Sequence, residues 1–221
     1  MIRGLIFDFD GLILETEEPI YQAWQEVYQS YGCHFSLQTW TSIIGTAAYD
    51  FEPILELERQ LGTSLNHKEI ESDQRTRESQ KILKQPVLPG VRHYLNDAKA
   101  IHLKIGLASS STCDWVVGHL DRLGLLEYFD AIKGSDDVQH TKPEPELYLA
   151  ALDELGLPPE QAIVLEDSPH GVTAAKRAGI YTVAVPNVMT CNLQFEHADL
   201  HLGSLEDMPL RDLIDLAENN H

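Results

Sequence analysis

Positive charge is scarce in this chain. Only 16 Lys and Arg stand against 35 Asp and Glu in 221 residues, a formal charge of −19. Such a surface repels phosphate backbones and anionic headgroups, which excludes nucleic acid and membrane as partners. An anionic substrate would need cations placed locally against that field. Cysteine is scarce as well. Cys33, Cys113 and Cys191 are odd in number and far apart, and no CxxC occurs. A disulfide framework and a thiolate zinc site are thereby excluded, and free thiols fit a reduced compartment. No apolar run approaches the ~20 residues that span a bilayer. Acidic residues follow the first apolar run directly, without the small-residue pattern of a signal peptide. Walker A, GxSxG and HExxH patterns are absent, which argues against ATPase, serine hydrolase and zinc protease chemistry. The expectation is a soluble, cytoplasmic protein. With 43% hydrophobic residues the chain has ample material for one large domain or two modest ones.

What the chain does have begins at residues 2–16, IRGLIFDFDGLILET. Leu5, Ile6 and Phe7 form a short apolar run that reads as a buried strand. It ends in Asp8-Phe9-Asp10 and then Gly11. Two carboxylates at i and i+2 would leave water at the rim of a core and repel each other. A cation, or a proton on one of them, removes the conflict. A plain strand-to-turn transition is the bland alternative. In open α/β sheets, ligands bind at the carboxyl ends of strands, where this pair stands.

From Thr16 to Gln85 the signals are helical. Ile20, Trp24, Val27, Tyr28 and Tyr31 trace one apolar face, with Thr16 as cap and Gly32 as stop. Shorter helices are expected over residues 36–44 and around 51–61. Asn66 with Glu69 resembles a capping box opening a charged helix to about Leu83. From Pro86 the pattern becomes alternating helices and strands. Strands are expected at 103–108, 129–133, 162–165, 181–185 and 199–202. Helices are expected at 89–100, after Ser109-Ser110-Ser111 to about 123, at 143–155, and after Ser168 up to Gly179. Such alternation predicts a parallel α/β sheet. The expected organisation is a Rossmann-like core of residues 1–15 and 86–221, with an all-helical insert at 16–85. An insert on two hinges beside the Asp8/Asp10 pair reads as a lid. Residues 218–221 read as a frayed end.

Further strand ends carry polar groups. Ser109-Ser110-Ser111 follows one strand, where hydroxyls and free N–H groups offer an anion site, or simply caps. Lys142 precedes a helix; alone, it reads as a solvated lysine. Glu166-Asp167 ends another strand. A second acidic pair favours a hard cation such as Mg²⁺, which takes oxygen ligands.

These stretches together closely resemble the haloacid dehalogenase-like hydrolase superfamily, in the branch with a small helical cap. The matching segments are Asp8-Phe9-Asp10-Gly11-Leu12, Leu107-Ala108-Ser109-Ser110-Ser111, Lys142-Pro143-Glu144-Pro145-Glu146 and Leu165-Glu166-Asp167-Ser168. The resemblance implies Asp8 as nucleophile and Asp10 as general acid/base. It implies Ser109, Ser110 and Lys142 as phosphoryl-binding groups. Asp8, Asp167 and Asp10 (through its carbonyl) would hold Mg²⁺, with Glu166 assisting. Aspartyl-phosphate chemistry needs an in-line carboxylate and cations over the phosphoryl oxygens.

Within that branch the motifs look most like the β-phosphoglucomutase-like group. Asp10 argues against a dehalogenase, whose chemistry needs no leaving-group acid. The mutase itself carries a His four residues past the hinge Thr, where this chain has Ile20, and an Arg three past the cap Gly, where Gly45 leads to Ala48. A phosphatase acting on a small phosphorylated metabolite is therefore expected, with the mutase as the alternative and a non-catalytic binding protein as a lesser one. Retention of Asp8, Asp10, Lys142 and Asp167 weighs against the last. Glu17, Ile20, Thr46 and Ala47 are expected to select the substrate. Arg75, Arg77, Lys81 and Lys84 could grip an anionic tail, although a solvated face explains them as well. The expected assembly is a monomer or a weak dimer.

Overall fold

The structure, a computed structural model, describes residues 1–41, 52–195 and 197–219. The chain divides into two compact units, one of Met1–Leu14 with Pro86–His221 and one of Glu15–Gln85. Among the described residues no helix is long and apolar enough to cross a membrane.

The first unit is built on a six-stranded sheet. Its strands are β1 (Gly4–Phe7), β2 (Lys104–Ala108), β3 (Ala131–Lys133), β4 (Ala162–Glu166), β5 (Tyr181–Ala184) and β6 (Leu200–His201). All neighbours are parallel, in the order β3-β2-β1-β4-β5-β6. Every residue of β1 and β4 is buried. Since successive side chains point to opposite faces, both faces of the sheet are covered, as parallel sheets require. Helices α7 (Glu146–Leu155) and α8 (Pro169–Arg177) pack together, and Leu147, Ala151 and Leu155 join Ile6, Val164, Ala174 and Ala175 in one core. Helix α5 (Val91–Ala100) lies against β2 and also against α9 (Leu210–Asn219).

The strand order fixes the position of the site. The chain steps from β1 to β2 and β3 on one side, then crosses to β4 on the other. The crevice between β1 and β4, at their carboxyl ends, is the switch point where such folds bind ligands. Phe7 is level with Leu107 of β2 and Leu165 of β4. One step on, Asp8 is therefore flanked by the β2 exit towards Ser109 and by Glu166.

Some elements differ from expectation. Helix α6 spans Cys113–Leu123, and its cap is Thr112, which accepts from the Trp115 N–H. Ser109–Ser111 lead into the helix, as expected, but do not cap it. Helix α7 begins at Glu146 rather than at residue 143. The C-terminal helix α9 was not foreseen, although Leu210, Leu213 and Ala217 bury one face of it. Glu218 is inside that helix and accepts the Ile2 N–H at 2.6 Å, so it is anchored rather than frayed.

The second unit contains α1 (Glu17–Ser30), α2 (Leu37–Thr41), α3 (Pro53–Leu61) and α4 (His67–Ile82). Helix α1 buries Pro19, Tyr21, Ala23, Val27 and Tyr28, whereas Tyr31 is 41% exposed. The buried face is thus rotated from the one expected. The cause is an aromatic cluster: Tyr21 stacks near Phe35 and Trp40, and Tyr28 lies 4.8 Å from Phe35. Thr16 makes no side-chain cap. Glu15 supplies it instead, accepting the Glu18 N–H at 3.0 Å. Asn66 makes no side-chain cap either; its amide donates to Glu69 at 3.4 Å. Arg77 and Lys81 of α4 both bind Glu26 of α1, at 3.2 and 2.6 Å, and so tie the unit together internally. Gly45, Thr46, Ala47 and Ala48 lie outside the described residues.

Candidate active site

Asp8 follows β1 and is buried; its N–H donates to the Leu165 carbonyl at 3.0 Å, which extends the β1–β4 ladder by one residue. Glu166, the last residue of β4, is fully buried. A buried carboxylate is tolerated only when its lone pairs are met. Glu166 Oε1 accepts the Tyr148 hydroxyl at 2.7 Å and the Lys142 ammonium at 2.5 Å. Its Oε2 accepts the Ser168 N–H and hydroxyl, each at 3.0 Å. A Cβ added at Gly171 would overlap this carboxylate. Glycine inside the first turns of α8 costs helix stability, about 1 kcal/mol, and here it makes room for Glu166.

The Lys142 side chain is only 6% exposed and lies between two acids. Its ammonium binds Asp8 Oδ1 as well as Glu166 Oε1, and lies 5.0 Å from the Tyr148 ring centroid. Burial works against the ammonium, but Asp8 and Glu166 more than offset it and hold its pKa above the ordinary lysine value. Lys142 is therefore a fixed cation.

Asp167 completes an acidic trio with Asp8 and Glu166, and oxygens of all three lie within 4.8 Å of one another. Asp167 is buried, and its Oδ2 accepts the Asn187 side-chain N–H at 2.8 Å. The same amide group donates to the Gly11 carbonyl at 3.1 Å. Asn187 Oδ1 meanwhile accepts the N–H groups of Met189 and Thr190, so the amide orientation is determined by its partners. Gly11 has φ +85°, and a Cβ there would overlap Asp167.

Of the three buried carboxylates, Asp8 and Glu166 share one lysine. Burial, assisted by the Glu166 and Asp10 charges, outweighs Lys142 and pushes the Asp8 carboxyl up to about 8. A hard cation would relieve that excess of negative charge. The donors present are oxygens only, the ligand type that Mg²⁺ prefers, so the residues fit such an ion. The Asp10 side chain lies outside the trio, so its carboxylate is not brought to the cation site. A second group, Cys113 with Asp136 and Asp137, also clusters. There the thiol donates to Asp137 at 3.0 Å, and burial and the two acids push it up to about 12, so it stays protonated.

Asp10 is held by other groups. Its Oδ2 accepts the hydroxyls of Ser109 and Ser111 at 3.2 and 2.7 Å, and its Oδ1 accepts the Trp115 indole N–H at 3.1 Å. Ser109 is buried after β2, where its N–H extends the sheet to the Lys133 carbonyl at 2.9 Å. Ser110 beside it is exposed.

The core unit thus brings together Asp8, Asp10, Ser109, Lys142, Glu166 and Asp167, while Ser110 is exposed next to Ser109. Glu17 and Ile20 are half-buried in the helical unit. Sequence reasoning missed Tyr148, Trp115, Asn187 and the clearance at Gly171, and it named Ser111 only within the serine run, not as a partner of Asp10. Asn187 carried the same signal as the others, a polar residue just past a strand, here β5. Gly171 carried one as well, a glycine in a helix start. Tyr148 carried none.

The chain is similar to proteins of known sequence and structure over nearly its whole length. The family model described as "Haloacid dehalogenase-like hydrolase" matches residues 5–185. A Bacillus subtilis protein named "Putative phosphatase YhcW" is 47% identical, over 97% of each chain. A Thermotoga maritima protein named "Phosphorylated carbohydrates phosphatase" is 36% identical, over 81% of this chain and 82% of its own. The crystal structure of a "putative beta-phosphoglucomutase" from Thermotoga maritima superposes with a TM-score of 0.82 at 28% identity, covering 97% of this chain and all of that one. The family match over most of the sequence, carried on the same parallel sheet and the same clustered strand ends, makes this chain a member of the haloacid dehalogenase-like hydrolases.

Proposed function

We propose that the protein is a Mg²⁺-dependent phosphatase that hydrolyses a small phosphorylated metabolite, a sugar phosphate or similar phosphomonoester, through an aspartyl-phosphate on Asp8. The observation that carries this reading is the buried Asp8 carboxylate, fixed by Lys142 within an acidic trio of oxygen donors. The names of the phosphatase relatives support the reaction class and the carbohydrate substrate.

Asp8 Oδ attacks phosphorus, and the phosphorus–oxygen bond to the leaving alkoxide breaks. Asp10 gives its proton to that alkoxide. Asp10 then takes a proton from water as the water attacks phosphorus, which releases inorganic phosphate and restores Asp8. Ser109, Ser110 and Lys142 bind the phosphoryl oxygens. Asp8, Asp167 and the Asp10 carbonyl would hold Mg²⁺, with Glu166 assisting. When bound, the ion supplies positive charge to the phosphoryl oxygens. Substrate choice is assigned to the helical unit, with Glu17, Ile20, Thr46 and Ala47 as selecting residues. The protein is read as a cytoplasmic monomer or weak dimer acting on free metabolites.

The mutase reading is disfavoured because Ile20 and Ala48 stand where a mutase would carry its His and Arg. The test is phosphate release from a panel of sugar and nucleotide monophosphates, with and without Mg²⁺. Mg²⁺-dependent release that an Asp8→Asn variant lacks is expected. Conversion of β-glucose 1-phosphate without net phosphate release would favour the mutase.

A further inference from the structure

Asp10 is required to be a proton carrier, and a carboxylic acid carries its proton on one oxygen only. The three groups that bind Asp10 are not equivalent in this respect. Serine hydroxyls both donate and accept, so Ser109 and Ser111 tolerate either protonation state of Oδ2. The indole N–H of Trp115 only donates. Oδ1, bound by Trp115 at 3.1 Å, must therefore remain an acceptor. A proton carried by Asp10 would therefore sit on Oδ2.

The local sequence fixes this arrangement. Thr112 caps α6 through the Trp115 N–H, which holds Trp115 in the first turn of the helix. Side chains in a helix lean towards its N-terminus, here towards the strand ends. The indole is packed edge-on against His119 at 4.4 Å, and His119 in turn lies 6.3 Å from Phe9, the residue between Asp8 and Asp10. The ring cannot leave its place without disturbing that stack.

We propose that Trp115 is a positioning residue for phosphoryl transfer: its indole N–H reserves Oδ1 of Asp10 and sets the acidic proton on Oδ2, the oxygen that faces Ser109 and Ser111. Ser109 is also a proposed phosphoryl-binding hydroxyl, so the proton is held on the oxygen of Asp10 that faces the phosphoryl-binding side. This inference rests on the acid/base role given to Asp10 above.

Leaving-group dependence tests it. Phenyl phosphate releases a phenolate about as basic as tyrosinate, with a pKa of about 10, and needs the acid. p-Nitrophenyl phosphate releases a far weaker base and hardly needs it. The two substrates are nearly the same shape. In a Trp115→Phe variant, kcat/KM for phenyl phosphate should fall about tenfold or more, the worth of one hydrogen bond to a charged group. For p-nitrophenyl phosphate it should fall twofold at most. A second variant, with benzothienylalanine at 115, keeps the ring shape and removes only the N–H; the same selective loss is expected. Equal losses on both substrates in both variants would make Trp115 merely structural and overturn the proposal. An Asp10→Asn variant separates the two levels. If Asp10→Asn shows no preference between the substrates, the acid role of Asp10 fails. If Asp10→Asn is selective and the Trp115 variants are not, only the inference about Trp115 fails.

Discussion

Gly171 stands against the Glu166 carboxylate so closely that a single methyl group in its place would overlap it. Glu166 in turn holds Lys142, Tyr148 and Ser168. The smallest side-chain change in α8 thus reaches the ammonium that pins Asp8. A Gly171→Ala variant should lose stability by about 1–3 kcal/mol, the usual cost of overpacking. It should lose activity by a larger factor than a surface variant of equal instability. Denaturant unfolding and steady-state kinetics on the same preparations give both quantities.

Asn187 orients Asp167 without belonging to the acidic trio. Groups that orient a ligand typically affect metal affinity by 10–100-fold. An Asn187→Ala variant should bind Mg²⁺ about that much more weakly in titration calorimetry, and the metal-free protein should also unfold at a lower temperature, because the bonds to Gly11, Asp167, Met189 and Thr190 are lost together. Unchanged Mg²⁺ affinity would show that Asp167 needs no such support.

The Asp8 carboxyl is raised by burial from 3.8 to about 8 in the cation-free protein. Its folded pKa exceeds its unfolded one, so between these values the folded state binds the extra proton. Stability from this group therefore falls as pH rises through that window and is level outside it. His119 and His170, lowered by burial, slope the other way around their ordinary values. Comparison with Asp8→Asn, which leaves both histidines in place, isolates the contribution of Asp8. In chelator, the variant's unfolding midpoint should gain on the parent's as pH rises from about 4 to about 8. Mg²⁺ should narrow the gap, because the ion competes with the proton for Asp8 and its apparent affinity rises with pH. A gap independent of pH would mean that Asp8 keeps an ordinary pKa.

The core of this protein was legible because its strands are short, apolar and end in polar residues. Leu5–Phe7 and Ala162–Leu165 announce themselves by composition, and Asp8, Ser109 and Glu166 by their place just beyond. Register then aligns those ends, which the strand pattern implies but cannot measure. The helical unit was less legible. Its apolar residues are aromatic and cluster across three segments, so Tyr21 rather than Trp24 faces inward. Helical spacing on α1 alone cannot foresee Phe35 and Trp40. The basic residues Arg77 and Lys81 looked available for a substrate, yet both engage Glu26, 51 and 55 positions away. The partners of Asp10 were hidden for a similar reason. Ser111 and Trp115 lie about a hundred residues from it, and only the parallel pairing of β1 with β2 brings them together.

The central claim is that Asp8 is the covalent nucleophile. It is tested most directly by acid-quenching the enzyme during turnover of an active sugar phosphate with Mg²⁺ and mapping the phosphoryl group by peptide mass spectrometry. Phosphate is expected on the peptide at Asp8, and none in an Asp8→Asn variant that has lost turnover. Full turnover in Asp8→Asn, or an adduct on Asp10 instead, would contradict it.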